Sequence, residues 1–517
     1  MSRNNIDEQI VSIIKNISRR YSISKIEAVL FMLEALNSME TEGRVGISDD
    51  ILRKIKKLEL STFEIYNFIK HNFNKLLSDL DRIVYGKYYT PKFLVELVYS
   101  YIRPYIKENA VIFDPACGCG AFLNYNDNFG SVRIVGNDID KNAVRLLQML
   151  KMDNVEIYNE NFLLQVNRAK YNLSGNDFVI VIGNPPYNDI TSKNKKTEKK
   201  SADIGLGIDD DIKTRDYGLS FLRAFNKLKA DVVCILHPLS YLIKKTNFNL
   251  LKEFKDNYQL KKAIIFSSSE FAKTRKTPFP IVAALYVRGG GMDYEYIKNF
   301  KFDILYSDKS FCLKDVPTID GYINKYPPRK KDGIKVSDIS LYMYNFRDLN
   351  SLLTTANFTE KEDFNNHITI NYKDLYKYAY LNCMKRYFGK DFLLGNLSPV
   401  VIIEDLESEY FKDLFIIDTI MNNQYISIFN IDNPNSILWT RGLFEEYKTK
   451  SAGFIEEHGR INIYRIFTDF VEGKGGKEMI RKITSEYFYN IKELFSCPLS
   501  ENQIGLPPIG NIDKIAL

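Results

Sequence analysis

Apolar residues along the first part of the chain fall at Ile6, Ile10, Ile13, Ile14 and Ile17, the spacing of one helical face. Two S-x-x-E capping boxes follow, Ser24 with Glu27 and Ser61 with Glu64, each in front of an amphipathic run. They predict helices at about 25–39 and 62–79, so residues 1–80 read as a small helical domain. Past Tyr85 the pattern changes to short β-branched runs: VIFD (111–114), VRIVG (132–136), FVIVIG (178–183), DVVCIL (231–236), KAIIF (262–266) and PIVAALYV (280–287). Helix-like stretches separate them, which predicts βαβ units and a parallel sheet covered on both faces, a doubly wound α/β domain over 81–291. After Gly289-Gly290-Gly291 the alternation stops, and 292–517, rich in Tyr, Phe, Asn and Lys, reads as a third domain of mixed α/β character.

Composition changes this picture little. The chain has 517 residues, 45% hydrophobic and 26% charged, ordinary values for a folded globular protein of two or three domains. No apolar run approaches the length of a membrane span and the N-terminus is unlike a signal peptide, so a cytoplasmic protein without a membrane partner is expected. Six scattered cysteines and four histidines form neither a disulfide framework nor a zinc pattern, and no metal site is expected. The net charge of +6 permits a nucleic-acid partner without identifying one. The basic cluster KNKKTEKK (193–200) reads equally as a solvated loop and as a phosphate clamp.

Candidate chemistry begins at VIFDPACGCGAFL (111–123), where a strand leads through Asp114, Pro115 and Ala116 into a turn with Gly118 and Gly120 and then a helix start. Such a turn lets the backbone approach a ligand at the sheet's C-terminal edge, although a plain strand-to-helix turn has the same residues. Asp138 in VGNDID follows the next strand, where an acid accepts from ribose hydroxyls. The third glycine of a dinucleotide fingerprint is missing and Asp114 would repel phosphate. A carboxylate can instead receive an ammonium group, so the charges suit S-adenosyl-L-methionine better than NAD.

A further strand ends in Asn184-Pro185-Pro186-Tyr187. The prolines remove two donors and fix φ twice, which leaves carbonyl acceptors unclaimed at a sheet edge. Adenine's amino nitrogen is a poor nucleophile because its lone pair enters the ring. The Asn184 oxygen and the Pro185 carbonyl can accept both amino hydrogens and stabilise the charge that develops as a methyl group arrives.

Taken together, these motifs resemble the gamma-class amino-methyltransferases, the N6-adenine DNA methyltransferases similar to the TaqI and Eco57I modification enzymes. The resemblance covers about 85–290, with YYTPKFLVELV (88–98), DPACGCG, NDID, NPPY, LHPLSYL (236–242) and SSEFAKTRKTPFPIVAALYV (268–287) in that family's order. It implies a Rossmann-like AdoMet-dependent methyltransferase sheet. Tyr89, Thr90, Pro91, Asp114, Pro115, Ala116, Gly118, Gly120, Asp138, Ile139, Asn161, Phe162 and Asn184 would hold the cofactor. Asn184, Pro185 and Pro186 would carry transfer, while Tyr187 and Phe271 stack on a flipped adenine. Two positions depart from the family: Asn161 stands where an acid usually binds the cofactor's adenine, with Glu160 as the alternative, and Cys119 replaces a hydroxyl, a change read as packing.

The implied partner is double-stranded DNA, read by the third domain, with the 190–216 loop clamping phosphate. A separately encoded restriction endonuclease or specificity subunit is a candidate second partner, within a restriction-modification or phage-defence system of a bacterium or phage. The expected location is then the cytoplasm, at the nucleoid. Rival readings are the modification subunit of a multisubunit restriction system, an RNA or protein-glutamine methyltransferase, and a non-enzymatic AdoMet-fold DNA-binding module. Glu446-Tyr447-Lys448 has a nuclease-like spacing but no aspartate-bearing strand before it, and reads as a helical charge pair.

Overall fold

The structure, a computed structural model, describes residues 3–40, 49–58, 60–61, 63–65, 67–68, 90–123, 132–149, 152, 154–187, 207–270, 279–308, 310–315, 341–344, 358–359, 367–370, 375–387, 409–433 and 461–494. Tyr89, Phe271, the basic cluster at 193–200 and Glu446 to Lys448 lie outside these residues, as does most of the helix expected at 62–79. The chain forms two compact units, Met1–Leu305 and Tyr306–Leu517.

The first unit opens with helices α1 (Arg3–Tyr21), α2 (Lys25–Glu40) and α3 (Asp49–Lys56). Both capping boxes form. The Ser24 amide donates to Glu27 at 2.8 Å and the Glu27 amide to the Ser24 hydroxyl at 3.2 Å. Ser61 and Glu64 exchange the same bonds at 2.8 and 3.3 Å, which satisfies donors a helix start leaves over. Ile10, Ile13, Ile14 and Ile17 are buried against Val29, Met32, Leu33, Ile51 and Ile55. This core continues onto the sheet domain through Cys119 and through Ala143 and Leu146 of helix α5 (Lys141–Met149), and Arg145 pairs with Glu34 across the same contact.

Within the first unit, the sheet comprises β1 (Ala110–Asp114), β2 (Arg133–Asn137), β3 (Val155–Tyr158), β4 (Phe178–Gly183), β5 (Val232–Pro238), β6 (Tyr258–Ser267), β7 (Pro280–Arg288) and β8 (Lys301–Ile304), these eight strands lying in the order β3-β2-β1-β4-β5-β7-β6-β8. Helices α4 (Lys92–Ile102), α5 and α6 (Tyr217–Leu228) flank it. This is the expected Rossmann-like α/β sheet, with one correction. It is not all parallel: β7 runs antiparallel to both β5 and β6. The run PIVAALYV looks the same either way, because a central strand buried on both faces is apolar throughout, and alternation reports burial rather than direction. Past the three glycines the unit continues through helix Tyr294–Asn299 and β8, which lies parallel to β6 with Ile264 opposite Asp303.

The second unit has its own core. Strand Leu341–Tyr344 pairs antiparallel with Phe358–Thr359 and His367–Ile370. Helices α7 (Leu375–Tyr387), α8 (Glu409–Asn422), α9 (Ile463–Val471) and α10 (Lys477–Leu494) bury Tyr380, Phe415, Ile417 and Phe488 among themselves. It is mixed α/β, as its sequence suggested.

Candidate cofactor and transfer site

The C-terminal ends of β1, β2 and β4 meet at one edge, where a doubly wound sheet binds ligands. Asp114 closes β1 and is 1% exposed. Burial pushes its carboxyl well above the usual range; the Ala116 N–H, donating at 3.2 Å, opposes this and the nearby Asp138 charge adds to it. Beyond it Gly118 and Gly120 take φ of 52° and 75°, values that favour glycine. The described residues from Pro115 to Leu123 are turn or irregular, and the stretch into which the expected helix would run, 124–131, lies outside the described residues.

Asp138, just past β2, organises that turn. Its Oδ2 accepts from the Gly118 N–H at 2.7 Å and its Oδ1 from the Asp140 N–H at 2.8 Å. Ile139 beside it is 44% exposed, unusual for an isoleucine and open to an apolar ring. The preceding residue, Asn137, is 1% exposed and was passed over by the sequence reading. Its Nδ2 donates to the carbonyls of Pro115 at 3.0 Å and Glu160 at 3.1 Å, and its Oδ1 accepts from the Glu160 N–H at 3.0 Å. Only its place after a strand and before an acid could have flagged it.

The turn after β3 holds Glu160, Asn161 and Phe162. Asn161 Oδ1 accepts from the Leu163 N–H at 3.0 Å and Nδ2 donates to the Gly207 carbonyl at 2.7 Å. A carboxylate at 161 could not donate that second bond, which gives the amide a physical reason. The anchorage continues at Asp209, which accepts from the amides of Gln165 at 2.8 Å and Val166 at 3.1 Å and from Lys227 at 2.8 Å. Glu160 pairs with Lys170 at 3.3 Å. The Phe162 ring lies in the core, stacked on Phe221 at 5.5 Å and edge-on to Phe113 at 5.7 Å, so it supports the turn from beneath.

At the end of β4, Gly183 has φ of 141° and a Cβ there would stand 2.7 Å from Asp114 Oδ1. Only glycine lets Asn184 come this close to the end of β1. The Asn184 Nδ2 donates to the Thr90 hydroxyl at 3.4 Å, and Thr90 is 3% exposed, next to Pro91 at the start of α4. The Asn184 Oδ1 is buried with no hydrogen-bond partner among the described residues, a costly state for an amide oxygen unless a ligand fills it. Pro185 is buried; Pro186 and Tyr187 are half-buried. The Tyr187 ring meets Phe279 edge-on at 6.2 Å, an aromatic that the sequence reading did not single out.

Below this loop lies a buried polar chain. Tyr241 donates to Asp216, the N-cap of α6, and stacks on His237 at 5.4 Å. His237 Nδ1 lies 3.0 Å from the Pro238 carbonyl, which can only accept, so Nδ1 carries the proton and Nε2 accepts from the Tyr286 hydroxyl at 2.7 Å. Burial lowers its pKa to about 4, so the ring is neutral and structural near neutral pH. Among the described residues no cluster of metal-ligating side chains occurs, and no helix is long and apolar enough to cross a membrane.

No curated relative matches the sequence. Among solved structures, the chain is similar to a protein of Listeria monocytogenes described as a class I S-adenosylmethionine-dependent methyltransferase. The identity is 15% and the TM-score 0.39, over 56% of this chain and 89% of that one. It is also similar to a protein of Vibrio vulnificus described as the modification subunit of a type I restriction enzyme, with 18% identity and a TM-score of 0.34, over 47% of this chain and 54% of that one. M. jannaschii TYW2 in complex with AdoMet gives 15% identity and a TM-score of 0.22, over 37% of this chain and 77% of that one. Similarity at this level decides neither substrate nor partner. A family model matches in sequence: residues 64–245, about a third of the chain and the part that carries Asp114, Asp138 and Asn184, match the family described as N-6 DNA Methylase.

Proposed function

We propose that this chain transfers the methyl group of S-adenosyl-L-methionine to the exocyclic N6 of a flipped adenine in duplex DNA, as a site-specific methyltransferase of a restriction-modification or phage-defence system. The observation that carries the reading is the buried, unpartnered Asn184 Oδ1 at the edge beside Asp114, inside the segment that matches the N-6 DNA Methylase family.

The donor set fits the cofactor. Asp114 is a buried carboxylate whose ionised form a positive group would stabilise, Ile139 offers an exposed apolar side chain, and Asp138 supplies an acceptor beside the glycine turn. Two acids at this edge oppose a pyrophosphate. When bound, the cofactor supplies an electrophilic methyl group on a sulfonium. Asn184 Oδ1 would accept one hydrogen of the adenine amino group, and the Pro185 carbonyl the other. Thr90, holding the Asn184 Nδ2, keeps the oxygen turned toward the substrate. These two acceptors draw the amino lone pair out of conjugation and stabilise the charge that forms on nitrogen, so no strong base is needed. Tyr187, steadied by Phe279, would stack on the base and offset part of the few kcal/mol that flipping costs. The second unit would then read the target sequence.

The test uses purified protein, labelled S-adenosylmethionine and mixed-sequence duplex DNA, with modified adenines mapped by single-molecule sequencing. Label is expected at one short adenine-containing motif. Asn184→Ala should lower transfer by about 10²–10³-fold while cofactor binding persists. Cofactor binding without transfer to DNA would overturn the self-sufficient reading and direct the search to a specificity subunit or to an RNA or protein substrate.

A further inference from the structure

We infer that Asn137 is a positioning residue that sets the width of the cofactor cleft. The parallel pairing of β2 with β3 runs to Asn137 opposite Tyr158, after which the Asp138 amide still donates to the Tyr158 carbonyl at 3.2 Å and the two chains part. The Asn137 side chain takes up the pairing there. Its Oδ1 accepts from the Glu160 N–H and its Nδ2 donates to the Glu160 carbonyl, the reciprocal pair of bonds that an antiparallel strand residue would make. The second Nδ2 hydrogen reaches the Pro115 carbonyl in the glycine turn, and the Asn137 main-chain carbonyl accepts from the Cys117 N–H at 2.8 Å. One residue thus joins the turn after β1 to the turn after β3, on either side of Asp138.

The inference rests on the cofactor reading above, because these two turns are the walls between which the nucleoside would lie. Asparagine is the only side chain of this size with two donors and an acceptor on one planar group. Aspartate keeps the acceptor and loses both donors, setting a carboxylate against two carbonyls and adding a third acid near Asp114 and Asp138. Alanine loses all three bonds and leaves the buried Pro115 carbonyl and the Glu160 carbonyl and N–H without this partner. The residue touches no reacting atom. Asn184 follows β4, outside these two turns, so the chemistry at saturating cofactor should survive a change at 137.

The experiment compares wild type, Asn137→Ala, Asn137→Asp and Asn382→Ala by thermal unfolding, calorimetric titration with S-adenosyl-L-homocysteine, and steady-state transfer. Asn382 serves as control because it is a buried amide of the second unit, donating to the Thr419 hydroxyl at 3.2 Å. Both Asn137 variants should bind at least about tenfold more weakly and raise the cofactor KM in proportion, with kcat at saturation within about threefold of wild type. The control should lose thermal stability and keep its affinity. Either Asn137 variant, folded and binding within about twofold of wild type, would overturn the inference; should alanine prevent folding, the isosteric aspartate gives the answer. A wild-type protein that binds no S-adenosyl-L-homocysteine would instead refute the cofactor reading itself.

Discussion

A carboxyl group such as Asp114, fully buried and raised well above its ordinary pKa, works against folding wherever it must ionise. The folded state holds the proton at pH values where the unfolded chain has released it, so stability falls as pH rises from about 4 through the folded value. A positive ligand reverses the sign for binding, since it prefers the ionised form, and cofactor affinity should therefore rise over the same interval. Asp114→Asn removes the ionisation and should unfold at a higher temperature than wild type at neutral pH, the difference shrinking toward about pH 4. It should also lose the stabilisation that S-adenosylmethionine confers. Melting curves across this range, with and without cofactor, check both; a variant less stable at every pH would show that Asp114 has a structural partner worth more than its burial costs. Asn161 teaches the complementary lesson. Its donor bond to the Gly207 carbonyl spans 46 residues of sequence, so the reason for an amide in place of an acid was invisible until the chain folded.

Among the elements, the strand ends carry the site. Gly183 combines a φ of 141° with a Cβ position 2.7 Å from Asp114, so Gly183→Ala meets both backbone strain and a carboxylate. The expected result is a loss of about 2–4 kcal/mol of stability together with cofactor binding, measured by denaturant unfolding and calorimetry. Unchanged binding would mean that the two strand ends move apart without consequence for the ligand. The β4 run and its Asn-Pro-Pro ending were legible because a bounded apolar run closed by two prolines has few alternatives. The direction of β7 was not legible, because the apolar pattern of a central strand is blind to direction. The register of a strand against its neighbours likewise depends on residues distant in sequence.

At the scale of the whole molecule, the two compact units each bury a separate core. The N-terminal helices share theirs with Cys119 of the glycine turn and with α5, so they form part of the cofactor-side unit. Cys119, 7% exposed, is the packing residue expected. If the second unit reads DNA sequence, a chain ending at Asp315 should still bind S-adenosylhomocysteine and lose motif-selective methylation. Calorimetry and sequencing of treated DNA decide this; selective methylation by the shortened chain would move target recognition into the first unit.

The sequence by itself determined the N-terminal helices, six of the eight strands of the first unit (all but β3 and β8), and the residues that end strands in acids, glycines or prolines, because those properties depend on neighbours a few places away. It pointed to Asp114, Asp138 and Asn184 by chemistry and spacing. Tertiary structure alone decided which of these groups stand side by side. It set Gly183 against Asp114, sent Phe162 into the core, brought Phe279 to Tyr187, and made Asn137 the tie between two turns. The physical reason is that a hydrogen bond or a steric contact is fixed by distance in space, and the partners here lie 22 to 92 residues apart in the chain.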